Sequence, residues 1–219
     1  VALLVVVAAI YFMYQSAEGE MQAAFDNRYK SYLLADELRQ SSDDLTRLGR
    51  TYVVTGDPAY EVQYFAILDI RNGKKPRPAA YHRIYWDFVA AGIAKPRPDT
   101  NTIALEELMK LAGFTDEEFG ALKEAQANSD GLVGLEVKAM NAVKGIFADS
   151  SGKYTVKKDP DFDLARKLVH SPEYHKFKAD IVKPLDKFYE LMEERTFSAV
   201  TNAQNTTAML SMILLSAIG

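Results

Sequence analysis

The sequence predicts an all-α protein, built as an antiparallel up-down four-helix bundle with long first, third and last helices. Three long stretches carry apolar residues at three- and four-residue steps, which is the spacing of one buried helix face. The second segment, residues 57–112, is broken by Pro-rich connectors, and no block of the chain is rich in β-formers or glycine. Long helices joined by short turns pack as antiparallel neighbours, which gives the up-down order.

The first helix continues from an apolar N-terminal segment to Val54. Gly56 is suited to the left-handed conformation that ends a helix, and Asp57 with Pro58 supplies an N-cap and a first helical residue. We therefore expect the chain to reverse direction at this point and to begin a second helix at once.

The second segment continues as a helix to Arg71 and then contains the tetrapeptide Lys-Pro-Arg-Pro twice, at 75–78 and 95–98. Proline fixes φ and disfavours α conformation in the residue before it, so we predict two extended connectors. Between them we predict a short aromatic helix over 79–91, and after them a short helix through residues 105–111.

The third helix has the clearest start signal. Thr115 and Glu118 have capping-box spacing, and Phe114 and Phe119 have the spacing of a hydrophobic staple. The apolar stripe that follows predicts a helix to about Phe147.

The rest of the chain is predicted as a turn with a short extended excursion over 149–156, a short helix over 161–169 and one long last helix. Ser171 and Pro172 begin that last helix, and Pro184 lies inside it.

Both ends of the chain are apolar and carry no charge, over residues 1–14 and 208–219. Each segment is shorter than the roughly 20 residues that span a bilayer. We interpret residues 1–20 as the end of one transmembrane helix with its juxtamembrane part, 21–205 as an extracytoplasmic domain, and 206–219 as the start of a second transmembrane helix. The alternative is a pair of buried core helices.

Composition excludes several classes of function. The net charge of -4 gives no general reason to expect nucleic acid, whose binding depends on Lys and Arg. There are no cysteines, and His170, His175 and His82 lack the spacing of a zinc site, so we expect no metal. Because no catalytic motif is found either, we expect neither an enzyme nor a cofactor in this chain.

Polar residues interrupt the apolar stripes at one predicted level of the bundle. Helices rise about 1.5 Å per residue, so Ser42 and Arg71, some 15 residues before and after the Gly56 turn, should lie at similar heights. Asn128-Ser129 in the third helix and residues 183–186 in the last helix fall at the same predicted level. Buried polar groups need partners, which are one another, water or a ligand.

This level defines a candidate binding site. In our hypothesis Arg71 pairs with a small anion through its planar guanidinium, and Ser42 and Asn128 form hydrogen bonds to it. Tyr85 and Trp86 form a wall of the site, with plain core packing as the alternative for these aromatic residues. Asn141 and Lys144 are further polar candidates in the third helix. The alternative is a polar layer that is satisfied within the protein and fixes helix register.

Several segments together resemble a bacterial extracytoplasmic sensor module, of the kind found in methyl-accepting chemotaxis receptors and hybrid sensor histidine kinases. They read SSDDLTR at 41–47, TYVVTGDP at 51–58, LDIRNGKKPRP at 68–78, YWD at 85–87 and AMNAVKG at 139–145. Tyr174-His175 and Lys183-Pro184 extend the resemblance.

The resemblance implies a ligand-binding helical bundle between two transmembrane helices, usually dimeric and located in the periplasm on the bacterial inner membrane. It also implies that displacement of the last helix is passed to a cytoplasmic signalling domain. Related sensors bind small organic acids or amino acids. A protein-interaction or mechanical sensing module without a small ligand is the alternative.

Overall fold

The computed structural model describes residues 2–218 and is mostly helical, which confirms the predicted class. Val1 and Gly219, which end the two predicted apolar segments, lie outside the described residues. The helices are α1 (Ala2–Thr55), α2 (Pro58–Arg71), α3 (Trp86–Ala90), α4 (Leu105–Leu111), α5 (Asp116–Val143), α6 (Phe162–His170) and α7 (Pro172–Ile218). Two strands, β1 (Ile146–Ala148) and β2 (Tyr154–Lys157), form an antiparallel hairpin between α5 and α6.

The turn between α1 and α2 forms as predicted. Gly56 adopts a φ of 70°, a left-handed conformation that glycine reaches without steric cost. The Asp57 carboxylate accepts the Ala59 N–H at 2.9 Å, and Pro58 occupies the first helical position.

The two Lys-Pro-Arg-Pro connectors pair with each other. Pro78 forms an isolated antiparallel bridge with Asp99, and the Arg77 backbone N–H donates to the Asn101 carbonyl at 2.8 Å. The predicted helix over 79–91 is wrong for most of its length, because only Trp86–Ala90 is helical. The Arg97 guanidinium donates to the carbonyls of Ala80 and Ile84, which an aromatic helix would need for its own backbone bonds.

The start of α5 also matches the prediction. The Thr115 hydroxyl accepts the Glu118 N–H, the Glu118 carboxylate accepts the Thr115 N–H, and the rings of Phe114 and Phe119 lie 6.4 Å apart.

The predicted extent of α5 is wrong at its other end, because the helix stops at Val143 instead of Phe147. Gly145 has a φ of 68°, and a Cβ placed on it would lie 2.2 Å from the Lys158 carbonyl oxygen. This close approach leads Phe147 into β1, where it pairs with Val156.

The chain divides into two compact units. The unit Leu34–Phe188 contains one hydrophobic core cluster, to which α1, α2, α5, α6 and α7 contribute together with the aromatic residues before α3. Its most deeply buried large side chains include Tyr64, Tyr174, Leu48 and Ile67.

The other unit consists of α1 up to Leu33 and α7 from Tyr189 onward. Within it the Arg28 guanidinium lies over the Phe197 ring at 5.5 Å, and large apolar side chains such as Leu4, Phe12, Met212 and Leu215 are exposed. Across residues 2–218, no helix combines the length and the apolar character that crossing a membrane requires.

Candidate functional site

A cavity of about 340 Å³ lies inside the Leu34–Phe188 unit, between α1, the end of α2, α4, α5 and α7. Its volume lies within the range of small-molecule sites, roughly 300–1,000 Å³. The lining residues are Leu38, Ser42, Arg71, Asn72, Ala104, Leu105, Glu106, Met109, Phe119, Leu122, Lys123, Ala125, Gln126, Ser129, Ile181 and Leu185.

Ser42 and Arg71 line the cavity, and both were predicted to lie at one height in the bundle. Both are half-buried, and Ser129, the neighbour of Asn128, joins them in the lining. A guanidinium carries five N–H donors, so Arg71 can contact a protein group and still donate to an anion. The structure thus brings polar side chains of α1, α2 and α5 to one cavity, as the sequence pattern predicted.

Asn128 itself does not line the cavity. Its amide Nδ2 donates to the backbone carbonyl of Asp180 at 2.8 Å and so links α5 to α7. Asn128 and Ser129 both lie three or four positions from Ala125 and Leu132, so they flank the apolar stripe on opposite sides, and Ser129 is the one on the side of the cavity.

The charged residues of the lining belong to its more exposed part. Lys123 and Glu106 are exposed, and Arg71 is half-buried. The Glu106 carboxylate already pairs with the Lys110 ammonium at 2.9 Å, one turn along α4. The lining therefore contains two cationic side chains, Arg71 and Lys123, and one carboxylate, that of Glu106.

Tyr85 and Trp86 do not form a wall of this cavity. They lie at a separate, much smaller hollow of about 10 Å³, together with Tyr81 and the acidic side chains of Glu37 and Asp44. The Trp86 indole N–H donates to the Tyr81 hydroxyl at 2.8 Å, and the Tyr85 and Trp86 rings meet edge-on at 5.1 Å. These contacts are those of a packed aromatic core.

Asn141 and Lys144 also lie away from the cavity lining. They follow Ser129 by three or more helical turns, which places them on the order of 20 Å along α5. The Lys144 ammonium pairs with the Glu61 carboxylate at 2.7 Å, which joins the C-terminal end of α5 to the first turn of α2.

A buried ion pair accompanies the connectors. Arg77 and Glu37 are 6% and 7% exposed, and the Arg77 guanidinium pairs with the Glu37 carboxylate and donates to the Ile103 carbonyl. The residues around this pair hold the chain that enters α4 beside the cavity. Gly73 contributes to the same arrangement, since a Cβ at that position would lie 2.6 Å from the Ala104 backbone nitrogen.

Sequence reasoning missed the buried carboxylate of Glu136. Glu136 is 3% exposed and accepts hydrogen bonds from the Tyr64 hydroxyl at 2.6 Å and the Tyr174 hydroxyl at 2.7 Å. Burial raises the pKa of Glu136, although the two tyrosine donors and the charges of Lys178 and Arg50 oppose that shift. Burial beside the carboxylate likewise raises the pKa of both tyrosines, so they remain donors.

A signal for Glu136 was present in the sequence. It stands four residues after Leu132 and four before Met140, on the apolar face of α5. Glutamate on such a face requires polar partners, and two tyrosines on other helices supply them.

Among the described residues, no group of three or more His, Cys, Asp or Glu side chains is arranged to hold a metal ion. Comparison of the chain with protein-family models, curated proteins and solved structures finds no match.

Proposed function

We propose that this chain is a sensor domain that binds a small carboxylate in the cavity between α1, α2, α4, α5 and α7. The observation that carries the proposal is the coincidence of Ser42, Arg71 and Ser129 in a cavity of about 340 Å³ with largely apolar walls. A mostly apolar pocket with a few convergent polar groups is the usual form of a small-molecule site.

The cavity reaches the helix that would carry the signal. Ile181 and Leu185 of α7 belong to its lining, and α7 continues without interruption to Ile218. A ligand that binds one position of α7 more tightly than another shifts the population toward that position. We propose that such a displacement is passed to a cytoplasmic signalling domain.

We further propose that the Leu34–Phe188 unit is an up-down four-helix bundle formed by α1, α2, α5 and α7. The short turn at Gly56 supports this arrangement, as does the single core cluster that these helices share. The resemblance supports a homodimer, which light scattering of the purified chain would detect as twice the mass of 24.5 kDa.

The two apolar helix ends support a membrane location with the central part of the chain in the periplasm. Leu4 and Leu215 are 73% and 69% exposed, and such side chains favour a hydrocarbon environment. Flotation of the chain with neutral phosphatidylcholine vesicles tests this part of the proposal, because neutral lipid removes any contribution of charge.

Thermal-shift screening of the chain against organic acids, amino acids and other metabolites tests the binding function. A ligand at about 100 times its Kd adds roughly 2.7 kcal/mol to the free energy of unfolding. We expect Arg71→Gln to remove the response to the ligand, and Lys138→Gln, an exposed cation on α5 outside the lining, to preserve it.

Two results would contradict the proposal: no metabolite raises the melting temperature, or Arg71→Gln leaves a confirmed response unchanged. A module that reads a protein partner or a mechanical state without a small ligand would then be the better description.

A further inference from the structure

The inner and outer parts of the cavity differ in chemistry. Leu105, Met109, Ala125 and Ile181 line it, although each is at most 5% exposed. Because solvent barely reaches these side chains, they form the inner wall. A ligand that fills the cavity must place apolar atoms against this wall, since none of the four side chains can donate a hydrogen bond and the Met109 sulfur is only a weak acceptor.

The polar lining residues lie toward solvent. Lys123, Gln126 and Asn72 are exposed, while Arg71 and Ser129 are half-buried. An anionic group near Arg71 and Lys123 would therefore sit at the mouth of the cavity, where part of its hydration remains. Charge-assisted hydrogen bonds from a guanidinium and an ammonium suit a carboxylate at this position.

The mouth is poorly equipped for a second charged group on the ligand. The acidic residue in the lining is Glu106, and its carboxylate already pairs with Lys110 at 2.9 Å. In an α-amino acid the ammonium lies beside the carboxylate, so it would be held close to the cations of Arg71 and Lys123, which repel it. A second carboxylate directed inward would meet the apolar inner wall, which offers it no donor.

From these observations we infer that the ligand is an amphiphilic monocarboxylate, with an apolar ring or branched chain held by the inner wall and its carboxylate held by Arg71 and Lys123. This inference rests on the proposed function and narrows it, because it excludes free amino acids and short dicarboxylates as preferred ligands.

Four probes separate the contributions of the two ends. 3-Phenylpropanoate has both features, propanoate lacks the ring, 3-phenylpropanamide lacks the charge, and L-phenylalanine adds an ammonium to the same skeleton. Isothermal titration calorimetry of each with the 219-residue chain gives the four affinities. Burying a side chain of phenyl size contributes about 1.5–3 kcal/mol, so we expect propanoate to bind roughly 10- to 150-fold more weakly than 3-phenylpropanoate.

We also expect 3-phenylpropanamide to bind at least about tenfold more weakly than 3-phenylpropanoate, because a charge-assisted hydrogen bond is lost. L-Phenylalanine should likewise bind more weakly than 3-phenylpropanoate. Binding of 3-phenylpropanoate should show a negative heat-capacity change, which marks burial of apolar surface.

Variants locate the two ends in the cavity. Leu122→Gln should weaken 3-phenylpropanoate about tenfold and change propanoate little, whereas Leu111→Gln, at a 67% exposed position outside the lining, should change neither. Lys123→Gln should weaken both acids, with Lys138→Gln as the matched control on the same helix. Circular dichroism and melting curves establish that each variant is folded.

Equal affinity for propanoate and 3-phenylpropanoate, or tighter binding of L-phenylalanine, would overturn this inference and leave the proposed sensor function in place. Absence of binding by all four probes would also overturn it. The proposed function itself fails when the broader metabolite screen gives no ligand or when Arg71→Gln leaves a confirmed response unchanged, so the two failures are distinguishable.

Discussion

Replacing Tyr64 by Phe tests the buried carboxylate layer formed by Glu136, Tyr64 and Tyr174. The substitution preserves the ring and removes the hydroxyl that donates to the Glu136 carboxylate at 2.6 Å. Tyr64 and Glu136 are almost fully buried, at 0% and 3% exposure, so a water molecule cannot easily replace the lost hydroxyl as a donor to the carboxylate. A hydrogen bond to a charged group contributes about 1.5–3 kcal/mol, and we expect this loss in the free energy of unfolding at pH 7.

The loss should depend on pH. The folded-state pKa of Glu136 is raised above its ordinary value of 4.5, so the folded protein binds more protons than the unfolded chain as pH rises above that value. Stability therefore falls as pH increases through the window between the unfolded and folded pKa values. Tyr64→Phe removes a donor that favours the ionised form, which raises the pKa of Glu136 further, widens this window and enlarges the total fall in stability. Near pH 4 both proteins hold a neutral Glu136, and the expected loss is only about 0.5–1.5 kcal/mol.

Urea unfolding followed by tryptophan fluorescence measures this effect. Trp86 is the single tryptophan of the chain and is 6% exposed within the same compact unit, so its emission reports unfolding of that unit. Tyr154→Phe, at a residue that is 38% exposed, is the matched control and should change the free energy of unfolding by less than about 0.5 kcal/mol. A Tyr64→Phe loss no larger than that of the control, or a loss equal at pH 4 and pH 7, would refute the reasoning.

Three further substitutions test other parts of the structure, each by urea unfolding. Gly73→Ala should lower the free energy of unfolding by more than about 2 kcal/mol, because it adds a clash with backbone atoms to the strain of a φ of 68°. Gly92→Ala is also at positive φ but in open space, so it should lower the free energy of unfolding by only about 1 kcal/mol. Equal losses would contradict the close contact between Gly73 and Ala104. Arg77→Met should lower the free energy of unfolding by about 3–5 kcal/mol, because Glu37 stays buried without its cation. Adding Glu37→Gln to Arg77→Met should restore much of that stability. A double variant no more stable than Arg77→Met would contradict the ion pair. Thr115→Ala should cost about 0.5–2 kcal/mol through loss of the capping box, and an unchanged midpoint would contradict that role.

Local signals predicted the turn between α1 and α2 and the start of α5, because the interactions at both sites are local. The reversal at Gly56, Asp57 and Pro58 and the capping box at Thr115 each depend on residues within one turn of each other. The predicted helix around Tyr85 failed because its competitor is distant in sequence. The Arg97 guanidinium takes backbone carbonyls 13 and 17 residues away, which no local pattern reveals.

Equal height along the helices predicted part of the cavity lining but not all of it. It depended on helix rise, which is uniform, and so it placed Ser42 and Arg71 correctly. Rotation about the helix axis decides between neighbours: Asn128 and Ser129 have equivalent spacing from Ala125 and Leu132, but Asn128 turns toward the Asp180 carbonyl of α7 and Ser129 toward the cavity. The contribution of α4 was not predictable in this way, because its position depends on the connectors and on the contact of Gly73 with Ala104.

The buried carboxylate layer and the cavity are separated by the same interval on three helices. Tyr64 precedes Arg71 by seven residues in α2, Ser129 precedes Glu136 by seven in α5, and Tyr174 precedes Ile181 by seven in α7. Seven residues are close to two helical turns, so members of each pair share a face and lie about 10 Å apart along the axis.

This geometry constrains how a ligand could move α7 under the proposed function. Sliding α7 along its axis would separate the Tyr174 hydroxyl from Glu136 and leave a buried carboxylate with one donor fewer, at a cost of about 1.5–3 kcal/mol. Tilting α7 about the carboxylate layer would preserve that hydrogen bond while moving Ile181 and Leu185 at the cavity wall. The coupling free energy between a ligand and its signal is typically about 1–3 kcal/mol, so the cost of sliding would be as large as the coupling itself. Under the proposed function, a tilt of α7 with Glu136 at the pivot is therefore favoured over sliding.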